Sequence, residues 1–198
     1  MSRLDALLAF VWALNARARG LAKDTGVVHL DMTLGMRART RPPLPDAFIG
    51  SPLIGVTTTL PAATVAANVP DLPRIATAIR TVIGAFDEPD ALPAYLHDRA
   101  FAGGPHARWC AFLGARHSLI TSWLGAGTHS IDFGTGTVPR HVESVMPDAD
   151  GCIQLLEAGL TSPRGHSKWY EQTVGVRMHL RTDVMQKVRE DPMLHMYD

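Results

Sequence analysis

This chain has few cysteines and no net charge, and each of these features excludes a class of protein. Its 198 residues include two cysteines, Cys110 and Cys152. Two distant cysteines are too few for a disulfide framework or a cysteine-rich metal site, so the sequence favours a reducing compartment, and we expect a cytoplasmic protein. Nineteen basic residues balance nineteen acidic residues, which leaves no net positive charge to hold nucleic acid or an anionic membrane.

Long apolar segments are missing as well. The apolar run near the N-terminus, residues 6–14, is nine residues long and far too short to cross a bilayer as a helix. Its length fits the core of a signal peptide, but helical spacing of its apolar residues and a capping-box pattern of Ser2 with Asp5 favour an amphipathic core helix. With 46% hydrophobic residues and no internal repeats, residues 1–198 are expected to form one globular domain.

Hydrophobic periodicity predicts a mixture of helices and strands. Apolar residues at alternate positions, such as Val28, Leu30 and Met32, predict a strand with one buried face. Apolar residues three and four apart, such as Ile75 and Ile79, predict an amphipathic helix. Predicted helices cover residues 4–21, 72–86, 90–101 and a segment starting near 183; predicted strands cover 27–36, 54–60, 118–123, 152–156 and 174–180. Glycines and proline at 103–105 end one helix, and residues 161–168 form a polar loop. The fold class is therefore α/β, or α+β.

Two short motifs lie close together in the second half of the chain. Residues 121–123 read Thr-Ser-Trp, and nine residues later residues 132–136 read Asp-Phe-Gly-Thr-Gly. A spacing of two in a strand places Thr121 and Trp123 on one face, as a shared pocket requires. Both residues are also favoured in any strand, so the motif alone does not prove a site. Asp-Phe-Gly occurs in protein kinases too, but the Gly-rich and catalytic-loop motifs of kinases are absent from this sequence.

A third segment completes a resemblance to a known family. Residues 36–50 carry Arg37 and Arg39 ahead of Pro-Pro-Leu-Pro. Together the three segments resemble the C-terminal half of the BAHD-type acyl-CoA-dependent acyltransferases, including their fungal trichothecene-acetyltransferase-like branch, although Thr135 stands where the family has Trp. The resemblance implies the C-terminal half of the two-layer α/β sandwich shared with chloramphenicol acetyltransferase, a mixed sheet with helices packed on it.

The resemblance also implies roles for individual residues. Thr121 would donate a hydrogen bond to the oxyanion formed during acyl transfer, while Ser122 and Trp123 would border the substrate and CoA pocket. Asp132 would be structural and would pair with Arg37, or with Arg39 as the second choice. The implied structural motif comprises Asp132, Phe133, Gly134, Gly136, Arg37 and Arg39.

The implied activity needs a catalytic base that this sequence does not supply in its usual place. The family carries His-x-x-x-Asp-Gly in its N-terminal half. One formal match occurs here, from His179 to Asp183, but Val184 replaces the Gly, and alternation predicts His179 as a strand residue and Asp183 as the cap or first-turn acid of a helix. Metal chemistry is not expected, because His129 with Asp132, or His117 with its neighbours, lacks the spacing of a zinc motif.

The sequence therefore favours one function and leaves one alternative. The favoured function is transfer of an acyl group from acyl-CoA, commonly acetyl-CoA, to a hydroxyl or amine of a small specialised metabolite. We expect the chain to be inactive or nearly so alone, because it needs an N-terminal acyltransferase half as its partner. The alternative is a noncatalytic truncated remnant, or a module that binds acyl-CoA or a partner enzyme.

Overall fold

Five strands form one mixed sheet in the computed structural model, which describes residues 1–101, 114–158, 168–171 and 173–195. The strands are β1 (Val27–Gly35), β2 (Leu53–Pro61), β3 (His117–Ser122), β4 (Cys152–Glu157) and β5 (Val174–His179). Their spatial order is β2-β1-β3-β4-β5. The three inner strands run parallel to one another, and each outer strand is antiparallel to its neighbour.

Helices cover one face of this sheet. Trp12 of the first helix, Leu30 of β1 and Ile79 of the third helix belong to one buried apolar cluster, because each element turns its apolar side toward the same layer. The helices are α1 (Arg3–Ala18), α2 (Ala62–Val65), α3 (Leu72–Gly84), α4 (Ala91–Phe101) and α5 (Thr182–Glu190). The predicted mixed sheet with helices packed on it is thus confirmed. The opposite face, called here the open face, carries the alternate residues of each strand.

The predicted elements are present with small shifts at their ends. The first helix stops at Ala18 rather than at residue 21, because Gly20 adopts a left-handed conformation (φ 73°) before a short 3-10 turn. The third predicted strand spans His117–Ser122, one residue earlier than expected. Three features of the sequence lie outside the described residues: the predicted helix stop at 103–105, Cys110 and most of the predicted loop at 161–168.

The start of α1 confirms the capping box and the reading of residues 6–14 as part of a helix. The Ser2 side chain accepts a hydrogen bond from the Asp5 amide, and the Asp5 carboxylate accepts one from the Ser2 amide. Asp5 is fully buried, and its carboxylate also accepts two hydrogen bonds from the Arg80 guanidinium of α3, at 2.7 and 2.8 Å. Among the helices of the described residues, none is long and apolar enough to span a membrane.

We predict that Asp5→Asn lowers the free energy of unfolding by about 2 kcal/mol, the scale of hydrogen bonds to a charged group. Burial alone raises the pKa of Asp5, but the bonds from Arg80 and Ser2 outweigh burial and hold the pKa below its usual range. The stabilisation is therefore full above about pH 4, the range of a free Asp, and is lost as the pH falls through the lowered pKa.

Urea unfolding at several pH values measures this difference, with the exposed Asp46→Asn as the matched control. Equal stabilities of wild type and Asp5→Asn at pH 7 would contradict the prediction.

Candidate active site

Thr121 and Trp123 lie at the carboxyl end of β3. The Thr121 hydroxyl is on the open face, 3.2 Å from the Thr33 hydroxyl of β1. The Trp123 amide continues the sheet by donating to the Leu155 carbonyl at 2.9 Å, and 40% of its side chain is exposed. Ser122, between them, is exposed. The structure therefore brings Thr121 and Trp123 to one end of the sheet, next to a second hydroxyl that the sequence did not indicate.

Asp132 shapes the loop that follows β3. One oxygen of its carboxylate accepts hydrogen bonds from the amides of Gly134, Thr135 and Gly136 at 2.8, 2.9 and 3.2 Å. Gly134 and Gly136 have φ of 87° and 69°, which a residue with a side chain adopts only at a cost. Residues 132–136, which we call the signature loop, are thus curled around the Asp132 carboxylate.

The expected pairing of Asp132 with an arginine is wrong in this structure. The Arg37 guanidinium donates to the carbonyls of Pro45 and Phe48, each at 3.2 Å. Arg39 pairs with Asp87 at 3.1 Å. Both arginines are thereby used to fix the Pro-rich segment after β1, and the Asp132 carboxylate is satisfied by backbone amides of its own loop instead.

His179 and Asp183 occupy the structural positions that the sequence predicted. His179 is the last residue of β5, with its ring 3.7 Å from Asp148. Asp183 lies in the first turn of α5 and pairs with Arg181 at 3.1 Å. The two side chains therefore have different partners and do not form a base with its orienting carboxylate.

A cluster of polar side chains on the open face was missed. His117 at the start of β3 lies 3.2 Å from Asp31 of β1, whose other oxygen accepts from Thr57 at 2.6 Å. His29 stacks on His117 with 4.3 Å between ring centres. Burial, and then the neighbouring His117, lower the pKa of His29. The alternation of His, Asp and Thr along β1 predicts that these side chains share one face of the sheet. The sequence does not predict that β3, which carries His117, pairs with β1.

This histidine cluster does not share a site with Thr121. His117 and Thr121 are four residues apart on β3, about 13 Å at the rise of an extended strand. Within the described ranges, no three His, Cys, Asp or Glu side chains are placed to hold a metal ion.

Large apolar side chains are exposed in the loops that follow β1 and β3. Ile49 is 99% exposed and Phe133 of the signature loop is 81% exposed. We call the exposed apolar side chains of these two loops, together with Leu53 at the start of β2, the apolar end; it comprises Phe48, Ile49, Leu53, Trp123, Ile131, Phe133 and Val138.

Solved structures share this architecture. The chain aligns over its full length with F. sporotrichioides TRI101 complexed with coenzyme A and T-2, with a TM-score of 0.74 and 18% identity. It aligns over 94% of its length with vinorine synthase, with a TM-score of 0.66 and 16% identity. The chain covers 45% and 40% of those structures, respectively, so the shared fold is about half of each.

Sequence comparisons agree with the structural ones. The chain is 28% identical over 190 residues to the acyltransferase abl6 of Leptosphaeria maculans, which is 96% of this chain and 37% of the relative. It is 26% identical over 167 residues to a hydroxycinnamoyl-CoA:piscidic acid hydroxycinnamoyltransferase of Actaea racemosa, covering 78% of this chain and 36% of the relative. The chain thus spans little more than a third of the length of these curated relatives.

The family assignment rests on the match along the whole chain. The model of the Transferase family matches residues 1–194. The Thr-Ser-Trp and Asp-Phe-Gly motifs and the shared sheet are consistent with that match. The chain belongs to the Transferase family, the BAHD-type acyl-CoA-dependent acyltransferases.

Proposed function

We propose that this chain forms the C-terminal half of an acyltransferase that moves an acyl group from acyl-CoA, commonly acetyl-CoA, to a hydroxyl or amine of a small specialised metabolite. The observation that carries the proposal is the Thr121 hydroxyl at the carboxyl end of β3, beside Thr33 and two residues before the half-exposed Trp123. The TRI101 structure that contains coenzyme A together with T-2 supports a small-molecule acceptor.

The Thr33–Thr121 pair suits the chemistry of a thioester. The acceptor oxygen or nitrogen attacks the thioester carbonyl carbon, and negative charge develops on the carbonyl oxygen. When Thr33 donates its hydroxyl proton to Thr121 across 3.2 Å, the Thr121 proton is directed away from Thr33 and can bond that oxyanion. The C–S bond then breaks, and CoA leaves as a thiolate that takes up the proton removed from the acceptor.

Among the described residues, neither His179 nor the histidine cluster is placed to take the proton of an acceptor at Thr121. His179 and Asp183 have separate partners, and the histidine cluster lies about 13 Å along β3 from Thr121. We therefore assign the base to the His-x-x-x-Asp-Gly motif of an N-terminal acyltransferase half, the partner of this chain. The exposed side chains of the apolar end, which include Trp123, are the ones that this half would cover.

The same apolar end supports a second candidate function. A domain with Ile49 and Phe133 almost fully exposed could hold acyl-CoA or a partner enzyme without catalysis. Catalysis and binding differ in one measurable quantity, the release of free CoA thiol.

The proposal is tested with a chimera in which this chain replaces the matched segment of the L. maculans acyltransferase abl6. CoA release from acetyl-CoA is followed with a thiol reagent over a panel of small alcohols and amines. We expect release that depends on an acceptor with the chimera and none with the chain alone. A folded chimera that binds acetyl-CoA without releasing CoA would favour the binding module.

A further inference from the structure

Glu157, at the end of β4, binds two residues of the segment between the signature motifs. Glu157, the last residue of β4, accepts a hydrogen bond from the Gly125 amide through its side chain at 2.8 Å. Its backbone carbonyl lies 3.1 Å from Nε2 of His129. Nδ1 of His129 lies 3.2 Å from the Pro139 carbonyl. The segment from 123 to 139 is thus held near its start, in its middle and at its end.

His129 is buried although the residues around it are not. Its exposed fraction is 4%, whereas Ile131 and Phe133 are 45% and 81% exposed. A polar ring enters the interior at a cost unless it is hydrogen-bonded, and here each ring nitrogen lies within hydrogen-bond distance of a carbonyl oxygen. The buried ring therefore anchors a loop whose other side chains are mostly exposed.

The two partners of His129 are both carbonyl oxygens, which can only accept. A ring nitrogen beside a carbonyl must therefore carry a hydrogen to form a bond. A neutral imidazole donates one of the two bonds, and an imidazolium donates both. A hydrogen on Nδ1 closes the stretch from 129 to 139, within which Asp132 curls the signature loop, and a hydrogen on Nε2 ties the ring to the end of β4.

We propose that His129 is a positioning residue for acyl transfer, which sets the signature loop and the turn after Trp123 against the end of β4. The effect of His129 on acyl transfer rests on the proposed function. Its effect on the structure of the loop does not, because the contacts of His129 lie within the chain itself. Glu157 links the two motifs, since its side chain holds Gly125 and its carbonyl holds His129.

The structural part is tested by amide hydrogen exchange on the full chain. His129→Leu removes the hydrogen bonds of the ring while keeping an apolar side chain of similar bulk in the interior. We expect exchange at the amides of Gly134, Thr135 and Gly136 to be faster by about tenfold or more. Without the His129 bonds, local opening of the loop costs less free energy. The exposed His141→Leu, in the same loop region, should leave exchange unchanged. His129→Gln retains a donor and should restore part of the protection.

The catalytic part is tested in the abl6 chimera. Loss of the His129 bonds should lower kcat/KM for the acceptor by about tenfold or more, the scale expected when a group near the reaction is displaced, with partial rescue by His129→Gln. Equal exchange in His129→Leu and wild type would overturn the proposal. Faster exchange with unchanged kcat/KM in an active chimera would overturn its catalytic part, whereas a chimera inactive even with His129 would count against the proposed function instead.

Discussion

Replacing Thr121 with Val in the abl6 chimera is expected to lower kcat about 10²- to 10³-fold, the effect of removing one hydrogen-bond donor to a developing oxyanion. Val keeps the shape and the strand preference of Thr, so the fold should be preserved. The substitution removes the hydroxyl 3.2 Å from Thr33. Since the ground-state thioester carries little charge on its oxygen, KM for acetyl-CoA should change much less than kcat.

Two matched variants separate catalysis from packing. Thr121→Ser retains the hydroxyl and should keep activity within about tenfold of wild type, a smaller loss than that of the lost donor. Thr81→Val removes an exposed hydroxyl on α3, far along the chain from the signature motifs, and should have little effect. Steady-state CoA release measures all three variants. Equal kcat for Thr121→Val and wild type would show that the Thr121 hydroxyl has no part in the reaction.

Gly151→Ala is expected to destabilise the fold by about 2 to 3 kcal/mol, because two costs add. Gly151 precedes β4 with φ 99°, a conformation that residues with a side chain rarely adopt. A methyl group there would lie 2.9 Å from the His117 carbonyl oxygen and 3.2 Å from the buried Arg19 guanidinium. The backbone oxygen cannot move away, since β3 and β4 are paired at this point.

Gly20→Ala is the control that isolates the backbone cost. Gly20 also has a positive φ, of 73°, but a methyl group there would meet nothing within 4 Å. We expect Gly20→Ala to cost about 1 kcal/mol, the left-handed penalty alone. Thermal and urea unfolding measure both variants. If Gly151→Ala lowered the free energy of unfolding no more than Gly20→Ala does, the predicted steric cost of the methyl group would be wrong.

The sequence predicted local structure better than it predicted contacts. The alternation of Val28, Leu30 and Met32 was sufficient for β1 and for its buried face, because that pattern depends only on neighbouring positions. The approach of Thr33 to Thr121 joins residues 88 positions apart. Such a contact depends on the order of strands in the sheet, which no local pattern encodes.

The signature residues show the same division. Alternation along the chain placed Thr121 and Trp123 at the end of a strand, and the structure adds that Gly134 and Gly136 in the following loop have positive φ. The partner of Asp132 was predicted wrongly, because backbone amides within its own loop compete with any distant arginine. His129 carried no recognisable signal, since carbonyl oxygens, which every residue has, are its partners.

We propose that this chain supplies the oxyanion donor and that an N-terminal half supplies the base. We would measure CoA release from acetyl-CoA by two abl6 chimeras, one unchanged and one in which the His of the family's His-x-x-x-Asp-Gly motif, in the N-terminal half, is replaced with Ala. We predict turnover in the first and a loss of about 10²-fold or more in the second, the scale of a positioned general base. Equal turnover in both would show that this His is not the base.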